Sequence, residues 1–177
     1  VQRPMVFVLV IGETARAANF SLLGYERDTN PELATRDIVA FQDVTACGTS
    51  TEISLPCMFS PWGRRDYDEQ QIRGSEGLLD VLVHAGFRVV WRENQSGCKG
   101  VCSNAEIENQ LMLDTPRPEL CDAKHCLDDT LLDGLDGMLR DAHGNTVLVM
   151  HQLGQHGPAY FERFPDRLKR VQPTRDT

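Results

Sequence analysis

The segment CGTSTEISLPC carries three hydroxyls in a row, Thr49, Ser50 and Thr51, just ahead of a helix expected to begin near Glu52. Hydroxyls at a helix start commonly serve as caps, accepting from backbone N–H groups. The other chemistry open to them is nucleophilic. A helix N-terminus offers unpaired N–H groups and a positive dipole end to a phosphate, and a hydroxyl bound directly to Zn2+ gives up its proton more readily. Residues able to hold such a metal follow two apolar runs. Glu13 stands just after Met5–Ile11, and His151 and His156 follow Thr146–Met150. If the two runs are parallel neighbours, a carboxylate and one or two imidazoles share one crevice, a combination that suits zinc. Taken singly, a glutamate after a strand is more often solvated or a helix cap. The histidines of HQLGQHGP are five residues apart, whereas a helix would place shared ligands four apart. Gly154 and Gly157 instead suggest an irregular backbone that aims His156 inward and leaves His151 packed near the strand end. Lys99, in the Gly-rich loop NQSGCKGVC, can neutralise a phosphate, although most exposed lysines bind nothing.

The elements that must position these groups follow from hydropathy. Met5–Ile11 is continuously apolar and rich in β-branched residues, the pattern of a strand buried on both faces of a parallel sheet. Phe87–Trp91 (FRVVW) and Thr146–Met150 (TVLVM) read the same way, and Ile38–Val44 reads as a further extended segment. Helical turns are expected within Thr14–Leu23. A helix is expected from Ser75, a plausible N-cap, through Leu78, Leu79, Leu82 and Val83 to Gly86, and another over Asp129–Ala142, weakened by Gly134 and Gly137. Strands alternating with helices predict an α/β fold with a mostly parallel central sheet flanked by helices. In such sheets chemistry gathers beyond the carboxyl ends of the strands.

The 177 residues suffice for one compact domain, 1–177. With 26 acidic against 18 basic residues the formal charge is −8, which leaves no broad cationic surface for a nucleic-acid backbone. The longest apolar run, Met5–Ile11, is far short of the roughly 20 residues that cross a bilayer. A soluble monomer is expected. Six cysteines form three local couples, Cys47 with Cys57, Cys98 with Cys102 and Cys121 with Cys126, each enclosing turn residues. Disulfides of this kind persist in oxidising compartments such as the periplasm. A zinc knuckle is the competing arrangement, but no couple is C-x-x-C and His125 alone stands close enough to join one.

Four ordered motifs carry a resemblance. They are VIGETARAANFSLLGYERDTNP (Val10 to Pro31), TACGTSTEISLPCMFS (Thr45 to Ser60), WRENQSGCKGVC (Trp91 to Cys102) and HQLGQHGPAYFERF (His151 to Phe164). Together they closely resemble the lipid A phosphoethanolamine transferases, the family that includes the colistin-resistance enzymes, within the alkaline-phosphatase and sulfatase-like superfamily. The resemblance implies that Glu13 and Thr51 are zinc ligands and that Thr51 carries the phosphoethanolamine group. It implies further that His156, Lys99, Ser96, Gln95 and Asp66 surround that group. Gln95 stands where the best-known relatives have Asn, keeping an amide on a longer stem. The three cysteine couples match the family's disulfides, Cys98–Cys102 being shared by only some members.

The implied reaction is ping-pong. Thr51 takes phosphoethanolamine from phosphatidylethanolamine and passes it to a lipid A phosphate at the periplasmic face of the bacterial inner membrane, weakening the binding of cationic polymyxins. Family members also bear N-terminal membrane helices, a later Asp-His pair that completes the zinc site and a further substrate-side His, none of which occurs in these residues. The expectation is therefore an incomplete catalytic domain, inactive by itself and reaching the membrane through the missing part. Two other readings are open: a phosphatase or sulfatase-like hydrolase, against which the lack of a C/S-x-P-x-R motif around Thr51 counts, and a non-catalytic, disulfide-stapled fragment.

Overall fold

The structure is a computed structural model that describes residues 4–109, 117–122 and 124–169. Its sheet has four strands, β1 (Val6–Ile11), β2 (Arg88–Glu93), β3 (Glu106–Asn109) and β4 (Thr146–His151), in the order β1-β4-β2-β3. Every neighbouring pair is parallel. Helices α1 (Thr51–Phe59), α2 (Glu69–Arg73), α3 (Leu78–His84) and α4 (Leu135–Arg140) complete the α/β architecture. Among the described residues no helix is long and apolar enough to cross a membrane.

Side chains alternate across the strands and divide the core in two. Val89, Trp91, Val147 and Val149 pack with Leu55 and Phe59 of α1 and Leu79 of α3. Val90, Leu148 and Met150 face the other way, onto Leu131. Both central strands are thus covered on each face, as their continuous apolar runs require. The register then fixes the site. Ile11 of β1 pairs with His151 of β4, and His151 pairs with Glu93 of β2. Three strands therefore end at one level, and the segments that follow them leave from the same sheet edge.

Several expectations are corrected. Among the described residues β1 has β4 as its one strand neighbour, so it is an edge strand, and Phe7, Val8 and Val10 are exposed rather than buried on both faces. Ile38–Val44 forms no strand: with no ladder partner there, its N–H and C=O groups lack the pairing that defines a sheet. The third helix starts at Leu78 rather than Ser75. Gly77 holds the N-cap position, its N–H donates to Asp80, and the Ser75 hydroxyl donates instead to the Gln71 carbonyl. The helix expected over Asp129–Ala142 is split into a 3-10 turn, Asp128–Leu132, and α4. Gly134, at φ 64°, takes the left-handed conformation that separates them. The turns expected within Thr14–Leu23 are two 3-10 turns, Ala17–Asn19 and Ser21–Leu23. Strand β3 was not legible, because EIEN lacks an apolar run; it is held by Arg88 against Glu106 and Arg92 against Glu108 across the β2 ladder.

Leu55, one turn into α1 and 1% exposed, fastens that helix to the core. Leu55→Ala is expected to lower stability by about 2–5 kcal/mol in urea unfolding, whereas Val81→Ala on the exposed side of α3 shifts it by less than about 0.5 kcal/mol.

Candidate active site

Two residues past β1, the Glu13 side chain turns back toward α1 and receives four hydrogen bonds. Oε2 accepts from the Thr51 hydroxyl at 2.5 Å and from Gln95 Nε2 at 3.1 Å. Oε1 accepts from the backbone N–H and the hydroxyl of Thr14, both at 3.0 Å. His156 Nδ1 lies 4.0 Å from Oε1. Burial works to raise the pKa of this carboxyl. The hydrogen bonds from Thr51, Thr14 and Gln95, with the charge of His156, outweigh that effect and leave it below its ordinary value. Glu13 is therefore an ionised acceptor at neutral pH.

Thr51 is the first residue of α1, after Ser50 in the N-cap position, and Ser50 makes no side-chain cap hydrogen bond. The Thr51 hydroxyl is likewise not spent on the helix, because its proton points at Glu13. The Cys47–Cys57 disulfide ties the approach to α1 back to the helix itself. A cavity of about 420 Å3 opens beside the pair, lined among others by Ser50, Thr51, Met58, Glu13 and His151.

The loop after β2 supplies the second side. Gln95, buried, donates to Glu13, while its side-chain oxygen accepts from the Ser96 N–H. Lys99 has φ 54° and lies within the turn closed by Cys98–Cys102. Its ammonium donates to the carbonyl and hydroxyl of Ser96 at 2.9 and 3.1 Å and stands 4.0 Å from the Glu52 carboxylate. Thr51, Gln95 and His156 thus stand directly against Glu13, and among the described residues Ser96 and Lys99 connect to them only through Gln95 and through Glu52, the residue after Thr51. Asp66 is not among them. It lies in the exposed turn between α1 and α2, and no hydrogen bond or ion pair joins it to the other site residues among those described.

Beneath the site lies a buried pair that the sequence did not single out as a unit. Glu93 is 2% exposed and His151 0%, and His151 Nδ1 stands 3.3 Å from a Glu93 oxygen. Glu93 also accepts from Trp91 Nε1 at 2.5 Å and from the backbone N–H groups of Gln95 and Gly97 at 2.8 and 3.2 Å. The signal was present, since Glu93 stands two residues past Trp91 as Glu13 stands two past Ile11. Burial would raise the Glu93 pKa, but its hydrogen bonds with His151 and Trp91 hold it below the ordinary value. The pair ties the ends of β2 and β4 together below Gln95.

All three expected cysteine couples are disulfides, and no described cysteine is free, which removes the zinc knuckle. His125 pairs instead with Asp122 at 3.1 Å. Among the described residues no group of three or more His, Cys, Asp or Glu is arranged to hold a metal.

A hydroxyl that makes no cap bond stands at a helix N-terminus beside the carboxyl edge of a parallel sheet, and residues 6–177 match the sulfatase family, to which the chain belongs. Within it, the chain is homologous to the phosphoethanolamine transferases. It is 43% identical over 175 residues to phosphoethanolamine transferase EptA of Salmonella typhimurium, covering 99% of this chain and 32% of that protein. It superposes on the soluble domain of lipooligosaccharide phosphoethanolamine transferase A from Neisseria meningitidis with a TM-score of 0.90, at 46% identity, covering 97% of this chain and 52% of that domain. The integral membrane form of that transferase gives a TM-score of 0.86 at 46% identity, with 93% of this chain and 31% of that one covered. The chain thus spans about a third of the length of its curated relatives.

Glu13 and Glu93 both titrate below 4.5 when folded, so their ionised forms stabilise the fold fully above pH 4.5, and that contribution is lost as the pH falls below 4.5 through the folded values. Glu93→Gln is expected to cost about 1–3 kcal/mol at pH 7 in urea unfolding and to flatten the loss of stability below pH 4.5. An unchanged acid limb in the variant would show that Glu93 contributes nothing to it.

Proposed function

We propose that this chain is the catalytic part of an enzyme that moves phosphoethanolamine from phosphatidylethanolamine to lipid A, with Thr51 as the temporary carrier. The observation that carries the reading is the 2.5 Å contact between the Thr51 hydroxyl and an ionised Glu13 at the start of α1. The homology to phosphoethanolamine transferases supports the group transferred. The parent protein acts at the periplasmic face of the bacterial inner membrane as a monomer. The three disulfides fit an oxidising compartment, and the integral membrane relative fits a membrane-embedded donor.

The geometry supports the following chemistry. In the first half-reaction the Thr51 hydroxyl gives its proton to Glu13, and the Thr51 oxygen attacks the phosphorus of phosphatidylethanolamine. The bond from phosphorus to the diacylglycerol oxygen breaks, and diacylglycerol leaves after taking up a proton, with His156 placed to relay it beside Glu13. In the second, an oxygen of a lipid A phosphate attacks the same phosphorus. The bond to Thr51 breaks, and the threonine oxygen takes up a proton through Glu13, which receives it from the monoprotonated attacking phosphate. Lys99, with the Ser96 hydroxyl that it contacts, offers donors to the non-bridging phosphate oxygens.

The donor pair fits a divalent cation. A carboxylate oxygen and a hydroxyl oxygen meet with only a proton between them, in a polar opening that Gln95 and His156 also face. Glu13 and Thr51 would be two of the ligands of a zinc ion, which when bound supplies Lewis-acid polarisation of the hydroxyl and neutralises phosphate charge. Addition of an ethanolamine ammonium lowers the negative charge of lipid A, and polymyxin resistance follows from that.

The test is Thr51→Ala in the full-length protein expressed in bacterial cells, with lipid A read by mass spectrometry. Modification is expected to fall by on the order of 10^3-fold or more. Unchanged modification in the variant would overturn covalent transfer through this residue.

A further inference from the structure

Two loops bring groups to the Glu13 carboxylate, and both hang from a single acid that does not touch it. Asp128 follows the Cys121–Cys126 disulfide and opens the 3-10 turn Asp128–Leu132. The N-cap position of that turn belongs to Leu127, so the Asp128 side chain does not cap it. The carboxylate reaches outward instead. Oδ1 accepts from the Leu153 N–H at 2.7 Å and from Asn94 Nδ2 at 2.8 Å, and Oδ2 accepts from the Gly154 N–H at 2.9 Å. Leu153 and Gly154 belong to the loop after β4, and Asn94 to the loop after β2.

Each contact is one step from the site. Gly154, at φ 53°, lies so close to Glu13 that a Cβ there would meet the Glu13 carbonyl oxygen at 2.7 Å, so glycine alone permits the approach. The next residue, Gln155, donates its N–H to the same carbonyl at 3.3 Å, and His156 then faces the Glu13 carboxylate at 4.0 Å. On the other loop, Asn94 is fastened to Asp128, to the Cys126 carbonyl at 3.1 Å and, by its N–H, to the His151 carbonyl at 3.0 Å. Its neighbour Gln95 delivers Nε2 to Glu13 at 3.1 Å. With three N–H donors already on it, the Asp128 carboxylate is a structural acceptor with little capacity left for a ligand.

We propose that Asp128 is a positioning residue that sets the distance of both His156 and Gln95 from Glu13, and that the Cys121–Cys126 disulfide serves the site by holding Asp128. Asp128→Asn tests this with little change of shape, because it turns one acceptor oxygen into an NH2 donor facing other donors.

The first measurement does not depend on the transfer reaction. Hydrogen exchange on the full-length protein is expected to show at least about tenfold faster exchange in the peptide containing Leu153 and Gly154 in D128N, with Leu148–Met150 of β4 unchanged. Unchanged exchange at Leu153 and Gly154 would overturn the proposal, as would uniform loss across β4, which marks a general fold defect. The second measurement rests on the transfer reading given above. Turnover is expected to fall about 10–100-fold in D128N, with KM for phosphatidylethanolamine within about threefold. Combined with His156→Ala, the loss is expected to be smaller than the product of the single losses, because both variants act through one group. Multiplying losses would show that Asp128 does not act through His156 and would overturn that part. Should D128N not fold, Asn94→Ala removes one donor from the same carboxylate and is expected to lower turnover by about 3–10-fold; full activity there overturns the proposal. If Thr51→Ala leaves transfer intact, the functional reading fails, and the exchange measurement still decides the role of Asp128.

Discussion

A hydroxyl proton held between Thr51 and Glu13, residues 38 apart in sequence, joins the end of the first strand to the start of the first helix. The contact requires an ionised carboxylate in a half-buried place, which is costly unless donors surround it. Thr51, Thr14 and Gln95 supply those donors, and the cost is offset without a formal ion pair at hydrogen-bond distance. It also requires a threonine released from its ordinary duty at a helix start. Ser50 takes the N-cap position without a side-chain cap bond, and the Thr51 hydroxyl turns to Glu13 instead.

The sheet makes this meeting possible. Parallel strands in matched register stop together, and the order β1-β4-β2 sets Glu13, the His156 loop and the Gln95 loop side by side although they are far apart in the chain. Below them the Glu93–His151 pair sits among apolar neighbours, with Trp91 edge-on to the imidazole at a centroid distance of 5.5 Å. A carboxylate so deeply buried is tolerable only because Trp91, two backbone N–H groups and His151 all turn toward it. The strand ends are thereby fixed by polar contacts where apolar packing gives out.

Much of this was legible in the sequence, for physical reasons that also mark the limit. The runs that became β2 and β4 are continuous and apolar because a central parallel strand has no wet face, a pattern that survives without any knowledge of neighbours. The same pattern in β1 misled, since among the described residues that strand has one neighbour and exposes Phe7, Val8 and Val10. Strand β3 escaped because Glu106–Asn109 is held by charge pairs across an edge, which leave no hydropathy signal. Ile38–Val44 misled in the opposite way: an extended composition becomes a strand only with a ladder partner, and Val39, Phe41 and Val44 are exposed. The cysteine couples were readable because each bridge closes a short local loop. Of the residues that the family resemblance put around the transferred group, Gln95 and His156 face Glu13, Ser96 and Lys99 contact one another in the loop that carries Gln95, and Asp66 lies in an exposed turn. The supports, Glu93 and Asp128, went unmarked because their partners are mostly backbone N–H groups brought near by topology, which no spacing rule records.

The central claim is that Thr51 itself becomes the carrier of the group. Full-length protein incubated with phosphatidylethanolamine and no acceptor, then digested and analysed by peptide mass spectrometry, tests it directly. The account predicts a phosphoethanolamine adduct on the Thr51 peptide that disappears when lipid A is added. Diacylglycerol release with the Thr51 peptide unmodified throughout would contradict it.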